Sequence, residues 1–451
     1  HYNTACGNSA LGSNTTGSQN TAVGHDALDD NTQGNYNVAM GSNALSKVTT
    51  GSDNTAFGSA ALSKNTVDGN TAVGRSAAGA NTNGVNNVVM GYYALAANTY
   101  GSHNVVIGHE AAKVALPMYN TVAIGRKSLT ASTTANNNTA VGSESMMSNT
   151  TGELNVALGM AALRSNTDAD SNTAVGYGCM QFNTEGEYHV AVGYQALRSN
   201  TTQDSKTAIG YQALTASTTG SGVTAVGYQA LDACTTGSTN TAVGDSALSH
   251  LTTGYSNVAV GTGAGNAVGN TGGLFNTYIG NGAGSNNTSS GNVMVGNNAG
   301  NTSTSGNQVI CIGHASQPSS ATVSHEITLG SSAITGLRCA VQTIATLSDR
   351  RDKTDVIDLP EGLSFINKLK PVKFKWKTRE GIETKDGKYE HGFIAQDLQA
   401  AQKENDADYL NMVMDENPDK LEASYGKLVP ILVQAVKELT AKVNKLELIT
   451  T

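Results

Sequence analysis

The sequence has little of what an ordinary set of enzyme domains contains. Its 451 residues include one tryptophan, six prolines and five cysteines, and only 14% of the residues are charged. The 51 glycines are the most prominent feature of the composition. Because aromatic and charged side chains are so sparse, the composition argues against a typical globular enzyme. No apolar run is long enough to span a bilayer, so we expect no membrane insertion.

Several kinds of site also lack their usual signals. The five cysteines are odd in number and far apart, which predicts buried free thiols rather than disulfides or metal ligands. The nine histidines show no metal-ligand spacing, and there is no phosphate loop or nucleotide motif, so we expect neither a metal nor a cofactor. The net charge of −8 is spread along the chain and indicates no nucleic-acid partner.

Charge is concentrated at one end of the chain. Residues 348–451 contain 17 of the 27 Lys+Arg and 19 of the 35 Asp+Glu, together with the only tryptophan, Trp376. This change of composition predicts a boundary near residue 347. We predict a repetitive shaft over residues 1–335, a linker or tip over 336–347 and a separate domain over 348–451.

The low-charge segment is an internal repeat. The string Asn-Thr-Ala-Val-Gly and its variants recur in twenty copies, whose closing glycines run from Gly7 to Gly330 and mostly lie 17 residues apart. Three residues after each glycine comes Ala, Ser or Cys, usually followed by Leu. Such strict spacing is typical of a solenoid in which each copy forms one rung.

The residue types within a copy predict the structure of the rung. The small or β-branched triplet before the glycine suits a short strand, whereas the Ala-Leu pair fits either a second strand or a single helical turn. Fourteen copies begin with Asn, which predicts a ladder of amides along the stack. Since one rung buries few side chains, we expect rungs to stack and three chains to pack side by side, with the Val and Leu of each copy facing the three-fold axis.

Three departures from the repeat give further expectations. The leucine becomes glycine at Gly265, Gly284 and Gly300, which predicts a thinner or differently wound interior. His189 replaces the repeat Asn, and a less favoured interpretation is an ion site with its two symmetry mates. A tyrosine follows the repeat glycine in four successive copies. Stacked rungs would align these rings either as a platform for a sugar receptor or as a purely structural stack; the four are Tyr177, Tyr194, Tyr211 and Tyr228.

The end of the chain predicts a coiled-coil helix over about 424–448. Leucines occupy heptad position d and valines position a, although Pro430 confines the regular coil to the residues after it. Valine at a with leucine at d leans towards dimers, so the expectation of a trimer depends on the shaft. Five lysines between 368 and 377 indicate a solvated strand face rather than a nucleic-acid site. The predicted trimer-helix residues are Leu432, Val436, Leu439, Val443 and Leu446.

Both parts of the chain resemble known families. The repeat is similar to the β-roll heads of trimeric autotransporter adhesins and to repeats of phage and bacterial fibres. Residues 348–451 resemble the C-terminal intramolecular chaperone of phage tail spikes and fibres, the endosialidase type. Four motifs carry this second likeness: Ser-Asp-Arg-Arg-Asp-Lys at 348–353, Pro-Val-Lys-Phe-Lys-Trp at 371–376, Gly-Phe-Ile-Ala-Gln at 392–396 and the Tyr-x-x-Leu…Leu-x-x-Ala-Val-x-x-Leu helix.

The resemblance implies a specific chemistry at the boundary. It implies that the domain trimerises, nucleates folding of the shaft and then cuts itself off, with Ser348 as nucleophile and Lys353 as base. The scissile bond would be Leu347–Ser348. This is a single-turnover reaction, and we expect no enzyme that turns over a substrate.

Together these features predict a mainly β chain: a trimeric parallel β-solenoid of about twenty 17-residue repeats, followed by a small α+β chaperone domain ending in a coiled-coil helix. The expected function is that of a phage tail fibre, located in the virion or on an extracellular surface. It would bind a host cell-surface glycan or protein receptor. Because His1 is not methionine, we expect an upstream segment that joins a virion baseplate or further fibre.

Two alternatives remain open. One is a bacterial extracellular adhesin or filament built from the same modules. The weaker one is a polysaccharide-degrading tail spike, which needs converging acidic residues that the shaft does not cluster.

Overall fold

A computed structural model of the chain describes residues 2–334, 348–376, 388–415 and 421–450. The first range forms one parallel β-solenoid built on a 20-stranded sheet. Its strands of three residues are β1 Thr4–Cys6, β2 Thr21–Val23, β3 Val38–Met40, β4 Thr55–Phe57, β5 Thr71–Val73, β6 Val88–Met90, β7 Val105–Ile107, β8 Val122–Ile124, β9 Thr139–Val141, β10 Val156–Leu158, β11 Thr173–Val175, β12 Val190–Val192, β13 Thr207–Ile209, β14 Thr224–Val226, β15 Thr241–Val243, β16 Val258–Val260, β17 Thr277–Ile279, β18 Val293–Val295, β19 Ile310–Ile312 and β20 Ile327–Leu329.

Each strand pairs in parallel with the next strand along the chain. Thr4 lies opposite Thr21 at the start of the shaft, and Ile310 lies opposite Ile327 at its end. Equivalent repeat positions therefore stack directly above one another. The predicted parallel β-solenoid is confirmed, with its strands at the triplets before the repeat glycines.

The strands point their central residue into the shaft. Ala22 and Ala39 are fully buried, whereas the residues on either side of them are partly or largely exposed. The leucine of the Ala-Leu pair, such as Leu28, is also fully buried within its own chain. The expectation that this leucine faces a three-fold axis is therefore wrong, because the interior of a single solenoid already encloses it.

The Ala-Leu segment is neither a strand nor a helical turn. Asp26 and Leu28 both have a φ of 53°, so left-handed residues alternate with ordinary ones through two successive tight turns. The backbone N–H of Leu28 donates to the carbonyl of Ala44 in the next rung, 3.1 Å away. This path sends the leucine side chain inward while the backbone stays bonded between rungs.

The repeat glycine sits where backbones of adjacent rungs come closest. Gly193 has a φ of 137°, and a Cβ built on it would lie 2.2 Å from the carbonyl oxygen of Gly210. Both the conformation and the close approach require glycine. The same two constraints hold at the repeat glycines from Gly7 to Gly296.

The predicted amide ladder is present and buried. Asn20 accepts the backbone N–H of Asn37 at its Oδ1, 2.9 Å away, and Asn37 Nδ2 donates to the carbonyl of Gly51 at 2.8 Å. A second ladder, which the sequence did not suggest, runs through the next turn of each rung; there Asn166 Nδ2 donates to Asn149 Oδ1 at 2.7 Å. These bonds satisfy polar groups that the narrow core would otherwise bury unpaired.

The interior near the end of the shaft is filled rather than thinned. Tyr278 replaces the central strand alanine and is fully buried, and its hydroxyl donates to Asn287 Oδ1 at 3.1 Å. A Cβ on Gly265 or Gly284 would lie 2.5 Å or 2.3 Å from the Tyr278 ring. The expectation of a thinner interior is wrong, because the volume lost at leucine is regained by the tyrosine.

The remaining described ranges form a small α+β unit. Its regular elements are α1 Leu363–Ile366, β21 Val372–Phe374, β22 Glu390–Gly392, α2 Ala395–Lys403, β23 Val413–Met414, β24 Glu422–Ala423 and α3 Leu428–Thr450, with short 3-10 helices at Arg350–Asp352, Asp408–Leu410 and Tyr425–Lys427. Strands β21 and β22 pair antiparallel, as do β23 and β24. Phe365, Leu398 and Ile431 lie in its core. Pro430 falls in the first turn of α3, where the missing N–H costs no helical bond.

Candidate processing and recognition sites

A tight turn brings the two predicted processing residues together. The carboxylate of Asp349 caps the 3-10 helix by accepting the backbone N–H of Arg351 at 2.9 Å. After this helix the chain folds Lys353 back over the start of the segment, and its Nζ donates to Ser348 Oγ at 2.6 Å. The nucleophile and base that the resemblance assigns are therefore in direct contact, although their roles stay predictions.

A separate ion pair lies beside Ser348 and Lys353. Arg351 Nη2 lies 2.6 Å from Asp349 Oδ2, and this hydrogen bond lowers the pKa of the Asp349 carboxyl. Ser348 and Lys353 are exposed to solvent. The burial that would suit a lysine base is therefore not supplied by this chain alone. Leu347 and the predicted linker over 336–347 lie outside the described residues.

The four tyrosines form a continuous stack on the shaft. Centroids of neighbouring rings are 5.1–5.3 Å apart, and their planes differ by 9–10°. Rings lying side by side in one plane would collide at this spacing, so the rings overlap through their faces. Gln212 Nε2 donates to Gln195 Oε1 beside them. The stack therefore turns the rings face towards face along the shaft, and each tyrosine remains partly exposed to solvent.

The helix α3 has one face on its domain and a second apolar face in solvent. Leu428, Ile431 and Ala435 are buried, and Glu438 Oε2 accepts the backbone N–H of Leu363 at 2.9 Å. The opposite side carries the heptad residues. All five predicted trimer-helix residues, from Leu432 to Leu446, are between 44% and 63% exposed.

The solenoid also has an apolar outer face. The third residue of each strand points outward, and from β2 to β20 it is always Val, Ile, Leu, Met or Phe. Phe57 is 53% exposed, Ile209 38% and Ile312 43%. We call this row of third strand residues the outer sheet row. Its length and regularity make it a surface suited to contact with other protein chains.

Two buried residues in the middle of the shaft were not predicted as a pair. His189 is fully buried in its own chain, so the less favoured interpretation, an ion site shared with two symmetry mates, is wrong. Lys206, at the same position one rung later, is 1% exposed. The signal in the sequence was the loss of Asn from three successive copies, at His189, Lys206 and Val223.

The cysteines are mostly as expected. Cys179, Cys234 and Cys311 are buried and free, and burial raises the pKa of the Cys234 thiol to about 11. Cys6 is exposed, which corrects the prediction, because it occupies the outward third position of β1. Cys339 lies outside the described residues.

Within the described ranges, no cluster of His, Cys, Asp or Glu could hold a metal ion, and no helix could cross a membrane.

Comparison with known proteins identifies the start of the C-terminal unit. Residues 348–406 match the family described as the chaperone of endosialidase. This match supports an intramolecular chaperone domain at the C-terminal end of the chain. It includes Ser348 and Lys353 and ends before α3. No curated protein and no solved structure matches the chain.

Proposed function

We propose that the chain is a trimeric fibre of the phage-tail kind, which is assembled by its own C-terminal chaperone and serves in host recognition. The proposal rests on one observation: the same chain contains a long β-solenoid and a segment that matches the chaperone of endosialidase. A shaft whose rungs stabilise one another only after the first have formed needs such a nucleus.

Two exposed apolar surfaces support assembly into a trimer. The outer sheet row runs along the shaft, and the heptad face of α3 lies at the end of the chain. Packing three chains would remove both from water, which stabilises by roughly 25 cal/mol for each Å² of apolar surface. The solenoid can enclose its own core, so the role of the trimer is to cover these outer faces.

Receptor binding is proposed at the tyrosine stack. The four rings are between 41% and 48% exposed, and their hydroxyl groups form a row that repeats at each rung. A regular row of phenol hydroxyls can hydrogen-bond to a repeating glycan. Because neighbouring rings are parallel and only 5.1–5.3 Å apart, no sugar can enter between them, so recognition would depend on hydrogen bonds rather than on stacking.

The trimer is tested by the mass of the intact chain in solution. Native mass spectrometry or sedimentation should give three copies, and a monomer would contradict the proposal. The paired substitution Ile209→Lys and Val243→Lys, which places charge in the outer sheet row, should weaken association. The matched control Thr236→Lys adds a charge at an exposed turn away from that row and should leave the trimer intact.

A further inference from the structure

Two consecutive rungs interrupt the buried asparagine ladder with ionisable residues. After Asn172 the same position is occupied by His189 and then by Lys206. The second ladder contributes Asn200, which lies next to both of these residues, and Ser217 one rung later. His189, Asn200 and Ser217 are fully buried, and Lys206 is 1% exposed. The corner between β12 and β13 thus encloses an amine, an amide and an imidazole away from solvent.

The amine of Lys206 lies against the side-chain amide of Asn200. Its Nζ is 2.5 Å from Asn200 Oδ1 and 3.0 Å from Ser217 Oγ. Among the residues that the structure describes, no carboxylate forms an ion pair with this lysine. A buried ammonium without a counter-charge is costly, and burial lowers the pKa of Lys206 to about 8. Burial therefore favours the neutral form of the amine, which is the nucleophilic one.

His189 lies at the other end of the same amide, whose Nδ2 donates to Asn183 Oδ1 at 2.7 Å and to the carbonyl of Gln203 at 3.1 Å. His189 Nδ1 accepts the backbone N–H of Lys206 at 3.1 Å, so the neutral ring carries its proton on Nε2. Burial lowers the pKa of His189 to about 4, which keeps the ring neutral. Nε2 lies 3.0 Å from Asn200 Nδ2. A planar amide nitrogen accepts hydrogen bonds poorly, but it gains a lone pair once its carbon becomes tetrahedral. The hydrogen bond from His189 Nε2 to Asn200 Nδ2 is therefore stronger in the transition state for attack on the Asn200 amide than in the ground state.

We propose that Lys206 and Asn200 become joined by an isopeptide bond that the folded chain forms by itself. The neutral Nζ attacks Asn200 Cγ, and a bond between Nζ and Cγ forms. One of the two protons on Nζ passes to Nδ2, the Cγ–Nδ2 bond breaks and ammonia leaves. The product is a secondary amide across the corner that connects β12 to β13. The step exchanges one amide for another and needs no oxidant, metal or cofactor.

The surroundings favour this reaction in two ways. The reacting groups are held in contact, and such placement replaces a bimolecular encounter by an intramolecular step. The product also removes a buried charge that has no carboxylate partner, whereas the ordinary ladder residue at this position is a neutral asparagine. Because the corner is closed to water, hydrolysis of the new bond is disfavoured.

The test is the mass of the purified, fully unfolded full-length chain. The wild type should be lighter than its sequence mass by one molecule of ammonia, and a lysine-specific protease should fail to cut after Lys206. Lys206→Asn restores the ladder residue, and Asn200→Ser copies Ser217 of the next rung. Both variants should keep the β circular-dichroism spectrum of the wild type and show their full calculated masses.

Ammonia is also lost when an Asn-Gly pair, such as Asn83-Gly84, forms a cyclic imide. The experiment must therefore show where in the chain the ammonia was lost. A wild-type chain of full mass that is cut after Lys206 would overturn the proposal. So would an ammonia loss that persists in Lys206→Asn. Fragmentation of the peptide that spans residues 199–206 should show Asn200 and Lys206 covalently linked.

Discussion

Lys353 Nζ lies 2.6 Å from Ser348 Oγ, five residues apart along the chain. A serine at this place has the carbonyl group of the preceding residue beside it, so attack on its own N-terminal peptide bond is intramolecular. If Lys353 is the base, as the family resemblance implies, it has to be shielded from water, and in this exposed turn only neighbouring chains could shield it. We therefore infer that processing waits until the chaperone has trimerised.

The first prediction concerns this pair. After assembly, the wild type should yield a small fragment that begins at Ser348. Ser348→Ala and Lys353→Ala should give intact chains that still form trimers, because each removes a reacting group without touching the apolar faces. Denaturing gels with N-terminal sequencing of the small band provide the measurement. Arg350→Ala is the matched control and should be processed normally. Full-length wild-type chains that persist after complete trimerisation would show that the chaperone remains as a permanent tip.

The second prediction concerns the tyrosine stack. If its hydroxyl edges bind a glycan, Tyr194→Phe with Tyr211→Phe should weaken binding about as much as the corresponding alanine pair, since phenylalanine keeps the ring and loses only the hydrogen bond. Host-cell or glycan-array binding is compared at equal trimer concentration. Binding that is unchanged in both pairs, with the trimer retained, would leave the stack a purely structural feature.

The third prediction tests whether Tyr278 fills the space left by the missing leucines near the end of the shaft. Tyr278→Ala should reduce the free energy of unfolding by about 3–5 kcal/mol, because it opens a large cavity. Gly265→Leu alone should also destabilise, since its Cβ would lie 2.5 Å from the Tyr278 ring. The triple variant Tyr278→Ala, Gly265→Leu, Gly284→Leu restores the common repeat and should recover most of the loss. Thermal unfolding at one scan rate is the measurement, and additive effects in the triple variant would show that Tyr278 does not fill this space.

The fourth prediction separates two kinds of glycine. Gly193→Ala should severely destabilise the shaft, because its φ of 137° and the carbonyl of Gly210 both exclude a side chain. Gly178→Ala is the matched control: its φ is 58° and the nearest atom to a new Cβ is 3.5 Å away. The control should cost only about 1 kcal/mol. Similar melting temperatures for the two variants would mean that the rungs are less closely stacked than described.

The strands and their register could be read from the repeat, because equivalent residues that recur at a fixed step must stack on one another in a solenoid. The path of the Ala-Leu segment could not. Alternating left-handed residues such as Asp26 and Leu28 have no strong local signal, and bonds to neighbouring rungs hold them in place. The contact between Ser348 and Lys353 was expected from a family likeness rather than from spacing.

The sequence by itself determined the period, the short strands, the glycine column and the boundary in charge near residue 347, since each is a local or periodic property. Only the tertiary structure decided which side chains a single chain encloses. It placed Leu28 inside and the outer sheet row outside, fitted Tyr278 against Gly265 and brought Lys206 onto Asn200. These outcomes depend on volume and contact between successive rungs, which no single copy of the repeat specifies.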